Sequence, residues 1–292
     1  LPLPPAHDHT TTCLESDDEV LNALRANLAV GAGLPEPAAD RDEALASKER
    51  GRKSPSRPWV VRPFKPSSRP PLALLTVFDD GKPEGEVVRL RDGRFVIGRS
   101  EGDLIIPHDG MMSSRHVEIT RQSVGGQHRW TITDLDSTNG LFFRVLRTVL
   151  VDGSEIMLGQ GRYRFLAPVK PGAGNAEPAD ASAKHATRPW GDSDAPVVPT
   201  LAEMVGSGLG ARFPLTRSEV WLGADPACDI CRLKDPCCDA KHARLHRDVK
   251  HGWIIENNRS FNGLWFRLPQ LVADSSVQFQ IGEQRFKLQI GD

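Results

Sequence analysis

The feature that most constrains this chain is an internal repeat in which separated short motifs recur in the same order. Gly98-Arg99 is matched by Gly223-Ala224, and Ser113-Ser114-Arg115-His116 by Asp239-Ala240-Lys241-His242. Trp130 is matched by Trp253, Ser137-Thr138-Asn139-Gly140 by Ser260-Phe261-Asn262-Gly263, and Leu158-Gly159 by Ile281-Gly282. Trp to Asn is nine residues in both copies, and Gly140 to Gly159 equals Gly263 to Gly282 at nineteen. Spacing shared over so many anchors indicates duplication, and two units of this length are two domains rather than a solenoid.

Each copy has the texture of short strands. In the first, β-branched or aromatic runs at 72–78, 86–90, 94–97, 104–106, 117–120, 130–133, 141–145, 155–158 and 163–166 are separated by Gly/Asp turns. Helical periodicity is absent there, so the pattern predicts an antiparallel sandwich or barrel. Strand texture returns from about residue 212 to the end. The reading is all-β: two antiparallel sandwiches at 71–168 and 201–292, joined by a Pro/Ala/Gly/Asp linker at 169–200.

Residues 1–70 are expected to be largely disordered. They carry one short helix at 17–28, opened by the capping box Ser16-Asp17-Asp18-Glu19, and then a basic, Pro-rich linker. The 292 residues carry a net charge of -1, which leaves no global field to draw nucleic acid or an anionic membrane. No apolar run approaches the ~18 residues of a spanning helix. Five cysteines, an odd count with Cys237 and Cys238 adjacent, argue against a disulfide framework and for a reducing, cytoplasmic setting. The first residue is Leu rather than Met, which is compatible with a trimmed chain.

The motifs fall at strand ends, where the loops of one end of a sandwich share a binding rim. Arg99 offers a planar fork of donors suited to a phosphate. The hydroxyls of Ser113 and Thr138, with backbone N–H groups near Ser114, complete an anion cradle. Asn139 has the donor and acceptor needed to grip an extended peptide backbone. His116 is read as a buried hydrogen-bonding brace rather than a base.

At these residues Phe95-Val-Ile-Gly-Arg-Ser, Met112-Ser-Ser-Arg-His-Val-Glu-Ile and Asp134-Leu-Asp-Ser-Thr-Asn-Gly resemble the signature of the forkhead-associated (FHA) domain. The resemblance covers roughly residues 72–168. It implies an eleven-stranded sandwich that binds phosphothreonine peptides. Arg99 and Ser113 would hold the phosphate, Thr138 would support it and Asn139 would hold the peptide main chain, with Ser114 beside them. Gly98, His116 and Gly140 would serve the fold. Met111 and Met112 stand where the family reads the residue three places after the phosphothreonine. One departure is visible: many members continue Thr-Asn-Gly with Thr-x-x-Asn-Gly, whereas Leu141-Phe-Phe-Arg-Val-Leu-Arg follows here. It puts the local loop geometry in question.

The second copy resembles the family over roughly 201–290, with Ala224, Asp239 and Phe261 where the phosphate ligands would be. Losing the guanidinium and placing a carboxylate against a dianion both oppose binding. The functional expectation is therefore a non-enzymatic phosphothreonine-binding adaptor or regulator in Ser/Thr kinase signalling, needing no cofactor or metal. Its partners would be a phosphothreonine protein and a Ser/Thr kinase, with no nucleic acid and no membrane. A further expectation is capture of the chain's own Thr10, Thr11 or Thr12 once phosphorylated, against a tail with incidental threonines. The tail's roughly 60 residues span about 45 Å as a flexible coil.

The alternatives are a tandem that reads no phosphate and, more remotely, an aspartate-nucleophile phosphatase at Asp134 and Asp136. The latter needs a doubly wound α/β scaffold. A Ser113/His116/Asp134 triad lacks a nucleophile elbow. A zinc site at Cys228, Cys231, Cys237, Cys238 and His242 is opposed by the repeat, which sets Cys228-Asp229-Ile230 on Gly102-Asp103-Leu104. A nucleotide loop at Gly206–Gly210 lacks its strand and helix.

Overall fold

A computed structural model describes residues 13–14, 73–78, 84–124, 127–168, 197–206 and 208–290. Among these every helix or strand is a strand. The helix expected at 17–28 and the basic linker lie outside the described residues. So does most of 169–200.

The tail contributes β1 (Cys13–Leu14). The first repeat forms β2 (Ala73–Phe78), β3 (Gly85–Leu90), β4 (Arg94–Gly98), β5 (Leu104–Ile105), β6 (Val117–Val124), β7 (Gln127–Asp134), β8 (Leu141–Leu150), β9 (Glu155–Leu158) and β10 (Gly161–Leu166). The second forms β11 (Thr200–Val205), β12 (Gly208–Pro214), β13 (Glu219–Gly223), β14 (Ile230–Cys231), β15 (Ala243–Asp248) and β16 (Gly252–Asn257). It ends with β17 (Leu264–Arg267), β18 (Gln270–Ala273), β19 (Val277–Ile281) and β20 (Gln284–Ile290).

Period-two patterning builds the core. In β10, Gly161, Tyr163 and Phe165 are buried and alternate with half-buried Arg162, Arg164 and Leu166. In β19, Val277, Phe279 and Ile281 alternate with Gln278 and Gln280 in the same way. Alternation turns one strand face to the core and the other outward. β8 departs from it: Leu141 through Val145 are all buried, so its first half is covered on both faces.

The two sandwiches are not the contiguous segments 71–168 and 201–292. β2 pairs with β20 from the far end of the chain, Ala73 opposite Ile290 and Val77 opposite Phe286. β20 pairs with β19, and β19 with the start of β8, Phe279 opposite Phe143. The facing sheet runs β18-β7-β6-β4-β5, so β18 also comes from the second repeat. Reciprocally, β11 and β12 continue into β10, β9 and β17. The end of β8 joins β16, Leu150 opposite Trp253. Each repeat thus donates its C-terminal strands to the other's sandwich.

The crossing strands β8 and β17 pair antiparallel with Phe143 opposite Phe266. These two residues are equivalent in the repeat, each three steps past its Asn-Gly glycine, so a pseudo-dyad passes between them.

The physical reason lies in the departure after Asn-Gly. Reversing a strand in a tight hairpin calls for residues that tolerate positive φ, chiefly Gly, Asn or Asp. Leu141-Phe-Phe-Arg-Val-Leu-Arg has none, and neither does Leu264-Trp-Phe-Arg-Leu-Pro-Gln. With no reversal, β8 runs on for ten residues into the other sandwich. The donated strands are integral to the core they enter. Leu271, Phe279, Ile281, Phe286 and Leu288 are at most 4% exposed. At about 2 kcal/mol each, they contribute on the order of 10 kcal/mol, comparable to a domain's net stability. The rings of Phe279 and Phe286 stack at 5.1 Å.

Candidate functional site

The rim is assembled from the loops after β4, before β6 and before β8. Gly98 ends β4 where a Cβ would lie 2.1 Å from the Ser114 carbonyl oxygen, so only glycine lets the loops close. The Arg99 amide donates to the Ser113 carbonyl at 2.9 Å, and the Glu101 amide to that of Ser114 at 3.0 Å. The Arg99 side chain is exposed, and its guanidinium makes no hydrogen bond or ion pair among the described residues. It is a cation held at the rim and left available.

The Ser113 hydroxyl accepts from the Thr138 amide at 3.1 Å. Its own hydrogen therefore remains to be donated outward. The Asn139 side-chain amide donates to the Met111 carbonyl at 2.7 Å, and the Gly140 amide to the Ser137 hydroxyl at 3.0 Å. Ser114 and Thr138 are exposed. The sequence-predicted ligands Arg99, Ser113, Ser114, Thr138 and Asn139 are thus brought to one set of joined loops.

His116 is fully buried and joins two of these loops. Its Nδ1 accepts from the Ser113 amide at 3.1 Å. Nε2 therefore carries the proton and donates to the Gly140 carbonyl, also at 3.1 Å. Burial pulls its pKa below the ordinary 6.5, against the pull of the Gly140 bond and of Asp134 and Asp109. Both ring nitrogens are committed to backbone atoms, which leaves His116 no free nitrogen to serve Ser113 as a base. Met111 is 48% exposed, but Met112 is 2% exposed and belongs to the core, so of the two only Met111 is open at the rim.

The second rim keeps the scaffold and sets a carboxylate where the first has a hydroxyl. The Asp239 carboxylate accepts from the Phe261 amide at 2.9 Å, in the place of the Ser113 hydroxyl. His242 repeats the brace between the Asp239 amide and the Gly263 carbonyl. The Asn262 side chain donates to the Cys237 carbonyl, and its oxygen accepts from Arg285.

Two residues at the first rim escaped sequence reasoning. Asp109, 4% exposed, accepts from the Met111 amide at 2.9 Å and from the Glu283 amide at 2.8 Å. Arg267 sits against Gly140, where a Cβ would lie 2.2 Å from its Nε. Asp235 stands at the repeat position of Asp109 and accepts from the Cys237 and Gln160 amides. That correspondence was a signal in the sequence.

The rival sites find other surroundings. Asp134 ends an antiparallel strand and its amide donates to the Pro269 carbonyl. No helix flanks it among the described residues. The Cys228 thiol donates to the Ala240 carbonyl at 3.2 Å, and burial pushes the Cys238 thiol up to about 12. Among the described residues no three His, Cys, Asp or Glu side chains are grouped to hold a metal. Gly208 opens β12, which pairs antiparallel with β11, and no helix follows among the described residues.

Residues 95–159 match the family model of the FHA domain. An FHA domain solved in work on phosphothreonine-dependent FHA domain interactions is 33% identical, over 32% of this chain and 91% of that one, at a TM-score of 0.19. The FhaA FHA domain complexed with the intracellular domain of Rv3910 is 34% identical, over 31% of this chain and 94% of that one, at a TM-score of 0.19. Full-length yeast Pml1p is 24% identical over 25% of this chain, at a TM-score of 0.24, and the match spans 58% of Pml1p. A comparison with curated proteins found no match. By the family match, the segment 95–159 of the chain belongs to the FHA-domain family.

Proposed function

We propose that this protein is a phosphothreonine-peptide-binding adaptor or regulator in Ser/Thr kinase signalling, with no catalysis of its own. The FHA domain is a phosphothreonine-binding module, and the first repeat carries its ligand set at Arg99, Ser113, Thr138 and Asn139. The observation that carries the reading is the exposed Arg99 guanidinium, without a partner among the described residues, on the loop hydrogen-bonded to Ser113, whose hydroxyl accepts from the Thr138 amide. Charge-assisted, bidentate contacts of this kind are among the strongest a protein makes to phosphate.

The phosphate-bearing ligand is a phosphothreonine segment of a partner protein or of the chain's own tail. Thr10, Thr11 and Thr12 lie outside the described residues. The adjacent Cys13–Leu14 pairs with Arg147 and Val145 on β8, the strand that leaves the rim at Leu141. That anchors the tail within about 20 Å of the rim along the strand, which favours intramolecular capture by effective concentration.

Fluorescence titration against a phosphothreonine peptide library tests the assignment. Binding is expected, and it is expected to vanish with Arg99→Ala or when phosphoserine replaces phosphothreonine. Undiminished binding by the Arg99→Ala protein would overturn it. Phosphorylated full-length protein should bind a reporter phosphopeptide more weakly than unmodified protein if the tail is the ligand.

A further inference from the structure

We infer that the phosphate-reading site is bipartite. Residues 267–290, from the repeat that lacks phosphate ligands, hold the rim in shape, and Asp109 and Arg267 are its positioning residues. The inference builds on the reading of Arg99 and Ser113 as phosphate ligands.

Three contacts carry it, one on the loop before β6 and two at the ends of the loop before β8. First, the Glu283 amide donates to Asp109 Oδ2 at 2.8 Å, and Asp109 Oδ1 accepts from the Met111 amide at 2.9 Å. The Met111 carbonyl in turn accepts from Asn139 at 2.7 Å. A backbone amide of the second repeat is thus linked through one buried carboxylate to the side chain that would grip the peptide. Gly282 makes the approach feasible: its φ is +59°, and a Cβ there would lie 2.3 Å from Asp109 Oδ2. Second, the Asp134 amide, at the end of β7, donates to the Pro269 carbonyl at 2.8 Å. Third, the Arg267 guanidinium closes on Gly140 directly after Asn139.

The arrangement is reciprocal. Asp235 accepts from the Gln160 amide of the first repeat at 2.8 Å and from the Cys237 amide at 2.9 Å. The second repeat therefore has work that needs no phosphate ligand of its own. It completes the sandwich that reads.

The test uses the full chain with a protease site placed within 169–196. After cleavage the two fragments should elute together under native conditions and bind a fluorescent phosphothreonine peptide as the uncut protein does. Separated in denaturant and refolded alone, the N-terminal fragment should lose binding, and mixing should restore it. Fragments that part without denaturant, or an N-terminal fragment that binds alone at full affinity, would overturn the inference.

The positioning role is read by Asp109→Ala beside Asp235→Ala. Both should lower the unfolding temperature. Only Asp109→Ala should weaken the peptide, by about tenfold, as expected for a lost charged hydrogen bond. Equal effects of both variants on affinity, or none from Asp109→Ala, would reduce Asp109 to a structural residue. If the uncut protein binds no phosphothreonine peptide, the functional reading falls by itself. Co-elution then still decides the exchange, and hydrogen-exchange protection of the Met111 amide in Asp109→Ala replaces the titration.

Discussion

Arg267 Nη1 lies 3.1 Å from Glu155 Oε2 across a sequence separation of 112 residues. Glu155 begins β9 of the first repeat and Arg267 ends β17 of the second, on strands paired beside the pseudo-dyad. Arg162 and Arg164 close the other side of the carboxylate, each at 2.6 Å. Glu155 is 5% exposed. Burial pushes its pKa up, but the Arg162 and Arg164 hydrogen bonds and the Arg267 charge outweigh that and hold the carboxyl below its ordinary range. One buried anion therefore ties both repeats together, and one of its cations also abuts the rim at Gly140.

Replacing Glu155 by Gln should be costly, because it leaves three guanidiniums around a neutral amide. Loss of one member of a buried ion-pair cluster typically costs about 3 kcal/mol. Urea unfolding should show a lower midpoint of about that worth. The native carboxylate's contribution is present above the unfolded value of 4.5 and fades as pH falls below it. A variant as stable as the parent at pH 7 would refute the role.

Gly140→Ala should disable the rim. Gly140 has φ +85°, and an added Cβ would meet Arg267 Nε at 2.2 Å. Gly153 has a similar φ of +81° with nothing within 4 Å of a built Cβ. Gly153→Ala should thus cost only backbone strain, about 1 kcal/mol, with peptide affinity unchanged. Gly140→Ala should cost more and weaken the peptide measurably. Equal affinities for the two variants would show that the Arg267 contact is irrelevant to binding.

Stability should fall with acidification below pH 6.5. His116 and His242 are each fully buried, and burial lowers both pKa values from 6.5. In the unfolded chain they take up protons first, so the unfolded state binds more protons in this window and the stability they supply is lost as pH drops. The slope approaches about 1.4 kcal/mol per pH unit for each histidine. Urea midpoints between pH 7.5 and 5 measure it, and His116→Gln should flatten the curve. A midpoint that is level or rises on acidification from 6.5 would contradict the braced, neutral histidines.

Much of the site was legible in the sequence because it rides on short motifs. Gly98-Arg99 and Ser113–His116 are joined by hydrogen bonds between neighbouring loops, and Thr138–Gly140 closes on them, so local identity carries the geometry. Met112 was misassigned to the rim because adjacent loop residues look alike until one of them is buried. Asp109 was missed because a carboxylate before a turn has an ordinary solvent-facing reading, and its partner Glu283 lies 174 residues away.

By itself the sequence determined the strands and the motifs that meet at the rim, since strand periodicity and loop chemistry are local properties. Tertiary structure alone decided which strands complete which sandwich. Both repeats present the same alternation at β9–β10 and β19–β20, so either pair fits either sheet by pattern. The choice falls to the chain's path after Gly140 and Gly263. With no residue there to reverse it, β8 and β17 cross at Phe143 and Phe266 and each repeat is finished by the other.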